Sequence, residues 1–240
     1  MPHLGGGLHR NTKTGLSVDF STVCRRMLAD TPCVYCYVHR ARENGFCGKE
    51  VIKEVHYNGF VSDLSEEQIS DMNSLGGIRM FAYGDYFEKF DSDYQKFLDD
   101  AESRGLCVKA VTKETDFVDK FADHDALTTT HLSVDNLKGS VEGRSPVTHE
   151  EASVYRASKD GVQIRAVVLD YDDLEYFSDW VDVLTLNHAL WSSDKGKTCY
   201  LFSRDERKEI SGDYPGMVCA AGPSGKCYDC PTKCGVDTCK

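Results

Sequence analysis

Apolar runs and polar, cap-bearing stretches alternate along this chain in a regular order. Gly15 to Val23 is the first apolar run and reads as a short strand. Val51 to Val61 has no strong period and reads as a connector. Ser65 and Gln68 make a capping box, which predicts a helix to about Ser74 ended by Gly76-Gly77. Ile78 to Tyr83 follows as a buried strand stopped by Gly84-Asp85. Ser92 and Gln95 form a second box, predicting a helix to Arg104, and Leu106 to Val111 is the next apolar run. Thr115 to Ala122 reads as a short helix, and Leu127 to Val134 as a strand rich in β-branched residues. Thr148 and Glu151 open a third capped helix that ends at Gly161. Val162 to Leu169 is the clearest strand, with Val, Ile, Val, Val and Leu in eight residues. A helix over Asp172 to Trp180 and a sixth strand over Val181 to Leu186 complete the series.

Six strands alternating with helices predict an α/β fold with a parallel sheet and right-handed crossovers. Buried parallel strands read as nearly continuous apolar runs, as these do. The sheet is either open and doubly wound or a partial barrel, and in both cases ligands bind at the carboxyl ends of the strands. The informative residues are therefore Cys24, Cys33 and Cys36; Gly84 and Asp85; Thr112 and Lys113; Ser133 and Asp135; Arg165 and Asp170; Asn187 and His188. Of the histidines, His188 alone falls on this rim, and a plain polar contact is its expected role.

Composition narrows the class. With 240 residues, 40% apolar and 28% charged, the chain is expected to be globular, one domain with an appendage. No run of 18 apolar residues exists, so no transmembrane helix is expected. Met1 to Thr14 lacks the apolar core of a signal peptide. Eleven cysteines without a secretion signal point to a reducing, cytoplasmic setting and to metal binding more than to disulfides. The net charge of −11 argues against nucleic acid as a partner, because phosphate binding needs clustered Lys and Arg. The most basic stretch, Arg25, Arg26, His39, Arg40 and Arg42, surrounds three cysteines. It is either a solvated helix face or a counter-charge to an anionic cluster or ligand.

Those cysteines carry the candidate chemistry. Eight residues separate Cys24 from Cys33, and only Val34 and Tyr35 separate Cys33 from Cys36. Three close thiolates with no histidine between them can hold three irons of a four-iron cluster and leave the fourth open to a small molecule. Half a zinc site, a redox pair and ordinary buried thiols are the alternatives for the same residues.

In order and placement these features resemble the radical S-adenosylmethionine (SAM) superfamily over roughly Gly15 to His188, most closely its small phage-type members. The resemblance implies a partial (β/α)6 TIM-like barrel over residues 1–211. It also implies a [4Fe-4S] cluster on Cys24, Cys33 and Cys36 that cleaves SAM reductively to a 5′-deoxyadenosyl radical, which takes hydrogen from a substrate. Tyr35 is similar to the aromatic residue that lies near the adenine. Phe81-Ala82-Tyr83-Gly84-Asp85 resembles the Gly-Gly-Glu motif, whose backbone and acid hold the methionine ammonium. Leu132-Ser133-Val134-Asp135 resembles the Ser-x-Asp that touches ribose and the methionine carboxylate. Gly161 to Arg165 and Asp182 to Leu186 resemble the fifth and sixth strands, which draws Arg165 and Asn187 into cofactor contact. Two departures stand out: eight residues, where three are usual, separate the first two cysteines, and Asp85 replaces Glu.

From Gly212 the composition changes, with Cys219, Cys227, Cys230, Cys234 and Cys239 within 21 residues. The segment 212–240 has too little apolar surface for a core and needs a metal or disulfides to order it. Cys219, Cys227, Cys230 and Cys234 suit a second iron–sulfur cluster, as auxiliary clusters in the superfamily do, with zinc as the rival. Cys239 is the expected spare, and Cys47, Cys107 and Cys199 are read as ordinary thiols. The resemblance further implies a one-electron reductant such as a flavodoxin as partner. The substrate is then a peptide or protein side chain, or alternatively a nucleobase-derived small molecule. A non-catalytic zinc-binding interaction module is the reading from another class.

Overall fold

Strand order follows chain order. The computed structural model describes residues 3–5, 7–11, 15–21, 54–82, 84–135, 147–186, 190–191, 198–199 and 202–219. Eight strands form one sheet in sequence order: β1 (His3–Gly5), β2 (Leu8–Asn11), β3 (Gly15–Val18), β4 (Ile78–Met80), β5 (Val108–Thr112), β6 (Leu127–Asp135), β7 (Val162–Val168) and β8 (Val183–Leu186). The first three run antiparallel to one another. From β3 to β8 every pairing is parallel. The intervening helices are α1 (Glu66–Ser74), α2 (Asp91–Ser103), α3 (Thr115–Phe121), α4 (His149–Ser158) and α5 (Tyr171–Ser178). A short antiparallel pair, β9 (Leu190–Trp191) with β10 (Thr198–Cys199), precedes α6 (Arg204–Asp213). No helix among the described residues is long and apolar enough to cross a membrane.

Parallel neighbours in unbroken order, joined by the right-handed crossovers such units adopt, place the described helices between them on the same side of the sheet. Side-chain parity agrees. Val18, Ile78, Met80, Val108 and Ala110 pack with Ile69 of α1, with Tyr94, Phe97 and Leu98 of α2, and with Phe117 of α3. Leu132, Val134, Ile164, Ala166, Val168 and Leu184 pack with Ala152 of α4, Leu174 of α5 and Ile210 of α6. The first cluster is aromatic: Phe81 meets Phe117 edge-on at 5.0 Å, and Phe20 lies 5.4 Å from Tyr94. Such pairs add about 0.5–1.5 kcal/mol each beyond the area they bury. Gly77 enters β4 with φ 80°, where an added Cβ would lie 2.2 Å from the Cys107 carbonyl oxygen, so only glycine fits.

Ser65 and Thr148 cap α1 and α4 through the expected boxes. Ser92 does not cap α2. A 3-10 turn, Glu88–Phe90, leads straight into the helix at Asp91, so Ser92 lies inside the first turn and Gln95 instead donates to Asp99. The predicted strand to Tyr83 ends at Met80, because Phe81 turns to φ 62°. The short β9–β10 pair went unpredicted, and so did two further features. One is the β1–β2 pair, which is short and in β2 mixes Leu8 with His9. The other is α6, whose Ser203–Glu206 capping box is present in the sequence. The composition change at Gly212 falls inside α6. Beyond it, Val218 pairs parallel to Leu184, and the Cys219 amide donates to the Leu184 carbonyl at 2.7 Å.

Candidate functional site at the carboxyl edge of the sheet

The turn after β4 is organised by a strained residue. Phe81 is the only described residue other than glycine with positive φ, and the left-handed region costs an L-residue about 1–2 kcal/mol. Its ring, held edge-on by Tyr94 and Phe117, sustains that conformation. Beyond it, the amides of Ala82 and Gly84 donate to the Asp19 carboxylate at 3.2 and 3.0 Å. Asp19 is the residue after β3 and also lies 3.3 Å from His9 Nε2. A buried carboxylate thus joins the exit of β3 to the turn after β4.

Asp85 makes the next link. Its Oδ1 accepts from the Tyr86 amide at 2.8 Å and from the Thr112 hydroxyl, and its Oδ2 accepts from the Lys113 amide at 3.1 Å. Burial pushes its pKa up to about 6, helped by the negative charge of Glu114 and opposed by these three hydrogen bonds. A carboxylate offers about four acceptor positions, so Oδ2 keeps one for a further donor. Lys113 in turn extends its ammonium to Asp135 at the end of β6, an ion pair in which the side chains are 14% and 4% exposed. Ser133, two residues inward, is paired in register with Arg165 of β7, whose Nε donates to Thr185 Oγ1 at 2.6 Å. The chain therefore brings Gly84, Asp85 and Asp135 to the carboxyl edge of the sheet, with Ser133 and Arg165 paired further inward on β6 and β7. Asp170 sits apart as the cap of α5, accepting from the Asp173 amide.

The polar character continues below the rim on the side away from the helices. Thr129, His131, Ser133 and Asp135 alternate along β6, Gln163 and Arg165 along β7, and Arg79 pairs with Lys109 across β4 and β5. The strand burial alternates accordingly, with Arg79, Lys109, Gln163 and Arg165 partly open and their helix-side neighbours buried. His131 is 4% exposed. Burial, then the positive charges of Arg165, Arg79 and Lys109, hold its pKa down to about 3, so the imidazole is neutral.

Cys24, Cys33, Cys36, Tyr35, Asn187, His188, Cys47, Cys227, Cys230, Cys234 and Cys239 lie outside the described residues, as does the basic stretch around the first cysteines. Among the described residues no group of three His, Cys, Asp or Glu side chains is placed to hold a metal ion. Sequence reasoning passed over Asp19, Arg79, Lys109, His131 and Gln163. The signal was the period-two run of polar residues on β6, Thr-x-His-x-Ser-x-Asp, within a strand buried on both faces. Comparison with protein-family models and with curated protein sequences gives no match.

Proposed function

We propose that the chain is a radical SAM enzyme built on a partial (β/α)6 barrel formed by β3 to β8. One observation carries this reading. Parallel strands in unbroken sequence order bring Gly84, Asp85 and Asp135 to the carboxyl edge, with Ser133 and Arg165 just inside it, and the chain leaves β3 at that same edge to enter the segment bearing Cys24, Cys33 and Cys36. An unbroken order without a switch point is the winding of a barrel, in which that edge is the functional face. The three thiolates form a donor set suited to a [4Fe-4S] cluster with one open iron. That cluster, when bound and reduced, supplies the electron that cleaves SAM to methionine and the radical that removes substrate hydrogen.

The protein's own groups bind and orient. Asp85 offers its remaining Oδ2 lone pair to the methionine ammonium, and that cation draws the raised carboxyl pKa back down. Ser133 and Asp135 face the ribose and carboxylate, with Lys113 fixing the Asp135 rotamer. Gly84 lets the backbone approach, Tyr35 stacks near the adenine, and Arg165 and Asn187 complete the pocket. In the tail, Cys219 is anchored beside β8, and with Cys227, Cys230 and Cys234 it holds a second iron–sulfur cluster. A peptide or protein side chain is the first-choice substrate and a nucleobase-derived molecule the second. A flavodoxin-type cytoplasmic protein is the reductant.

Anaerobic reconstitution followed by dithionite and SAM tests the reading. The expected product is 5′-deoxyadenosine, abolished in the triple variant Cys24→Ala, Cys33→Ala, Cys36→Ala. That variant should keep about four irons and four sulfides per chain in the tail. Protein that carries zinc alone and leaves SAM intact would establish the interaction module instead.

A further inference from the structure

We propose that the side of the sheet away from the helices holds an anion-binding site, formed by Arg79, His131, Gln163 and Arg165, that grips a carboxylate or phosphate group. Arg79 extends from the middle of β4, and among the described residues nothing accepts from its buried Nε. No described acid lies within ion-pair distance of Arg79 or Arg165, whose Nε serves only the neutral Thr185 hydroxyl. His131 and Gln163 are directly paired across β6 and β7. His131 Nδ1 and Gln163 Oε1 are both buried and, among the described residues, have no hydrogen-bond partner. Three polar atoms on one face, Arg79 Nε, His131 Nδ1 and Gln163 Oε1, are therefore buried and, among the described residues, left unsatisfied, with the Arg165 guanidinium beside them.

Positive groups gathered on one sheet face repel, and a buried polar atom without a partner destabilises the fold. The helix side of the same strands shows that apolar residues were compatible with the sheet. What the arrangement suits is a ligand that brings negative oxygens to two guanidinium forks and a polar atom to the imidazole–amide pair. A neutral imidazole retains one N–H donor and one acceptor, so His131 accommodates either a bare anionic oxygen or a hydroxyl beside it. The site lies on the same face as Ser133 and Asp135 and deeper than the rim. That the bound group belongs to the enzyme's substrate rests on the function proposed above; the binding itself does not.

The test uses the full chain as purified, with inorganic pyrophosphate and malonate as probes of the two chemistries. Ring-nitrogen NMR resonances of His131, assigned with His131→Gln, should shift on titration, while those of His124 at the α3–β6 turn stay fixed. Calorimetry should show Arg79→Gln and Arg165→Gln each weakening the better probe about tenfold or more, as loss of a charge-assisted bond does. Lys96→Gln, on the exposed side of α2, should bind as the wild type. Tighter pyrophosphate binding identifies a phosphate ligand, and tighter malonate binding a carboxylate. Melting curves establish that each variant is folded before titration. Absence of any His131 shift with either probe overturns the proposal, as does equal affinity in wild type, Arg79→Gln and Arg165→Gln. So does an equal loss in Lys96→Gln, which would mark unspecific attraction. SAM cleavage is measured separately: an inactive reconstituted protein whose His131 still responds to anion refutes the radical SAM reading and leaves the anion site standing.

Discussion

Along β7, Val162, Ile164, Ala166 and Val168 face the helices, whereas Gln163 and Arg165 face away from them. β4 and β5 repeat the contrast, with Ile78, Met80, Val108 and Ala110 against α1 and α2 and with Arg79 and Lys109 opposite. One backbone thus carries two unlike surfaces. The first is close-packed, and truncation there leaves a cavity. The second keeps cations and unpartnered polar atoms, so it contributes little to folding and is where ligand recognition is expected. Close packing and polar character are divided by the strand's period of two.

The largest expected effect lies on the packed side. Phe117 is fully buried and meets Phe81, Tyr86, Tyr94 and Phe121. Phe117→Ala should therefore lose about 3–5 kcal/mol in urea unfolding. A loss below 1 kcal/mol would mean that the aromatic cluster is not the core it resembles.

Asp85, at the junction of the two surfaces, should give an intermediate effect that depends on pH. Its folded pKa of about 6 lies above the ordinary 3.8, so the folded state holds the proton more tightly than the unfolded chain. The associated stability is fully present below the unfolded value and disappears as pH rises through about 6. Asp85→Asn does not titrate, and its altered hydrogen bonding is the same at every pH. Between pH 4 and 7 the wild type should lose about 2 kcal/mol relative to Asp85→Asn. Parallel pH profiles of the two proteins would place Asp85 in an ordinary, solvated setting.

The smallest effect belongs to the open side. Arg79→Met keeps the side-chain volume and removes a charge that has no acidic partner among the described residues. Stability should stay within about 1 kcal/mol of wild type or rise. A loss as large as that of Phe117→Ala would erase the distinction between the two faces.

How far the sequence alone reached follows the same division. Helix starts set by Ser65 and Thr148, and the six parallel strands, were legible because caps and apolar runs are local signals. Ser92 misled because a preceding 3-10 turn can start a helix without a side-chain cap. Asp85, Ser133 and Asp135 were singled out by asking what ends a strand, and the structure places them at or near the carboxyl edge; Arg165, singled out in the same way, lies in the middle of β7. Asp19 was hidden, because its role depends on amides more than 60 residues away that only the turn at Phe81 brings round. Gln163 was hidden because the apolar run of β7 masks the polar positions interleaved with it, and His131 because it lies mid-strand while only strand ends were read for function.

The unbroken order of β3 to β8 also bears on how the molecule is made. Each strand adds beside the one synthesised before it, so a new unit finds its partner already in place. From β4 to β8 the contacts between neighbouring strands close shorter loops than the β3–β4 pairing does, which lowers the entropy that a parallel sheet must lose before its pairings form. Folding can then keep pace with translation, unit by unit from the amino end. The pairing of Val218 with Leu184 follows the addition of β8, and it covers part of the outer edge that β8 leaves exposed.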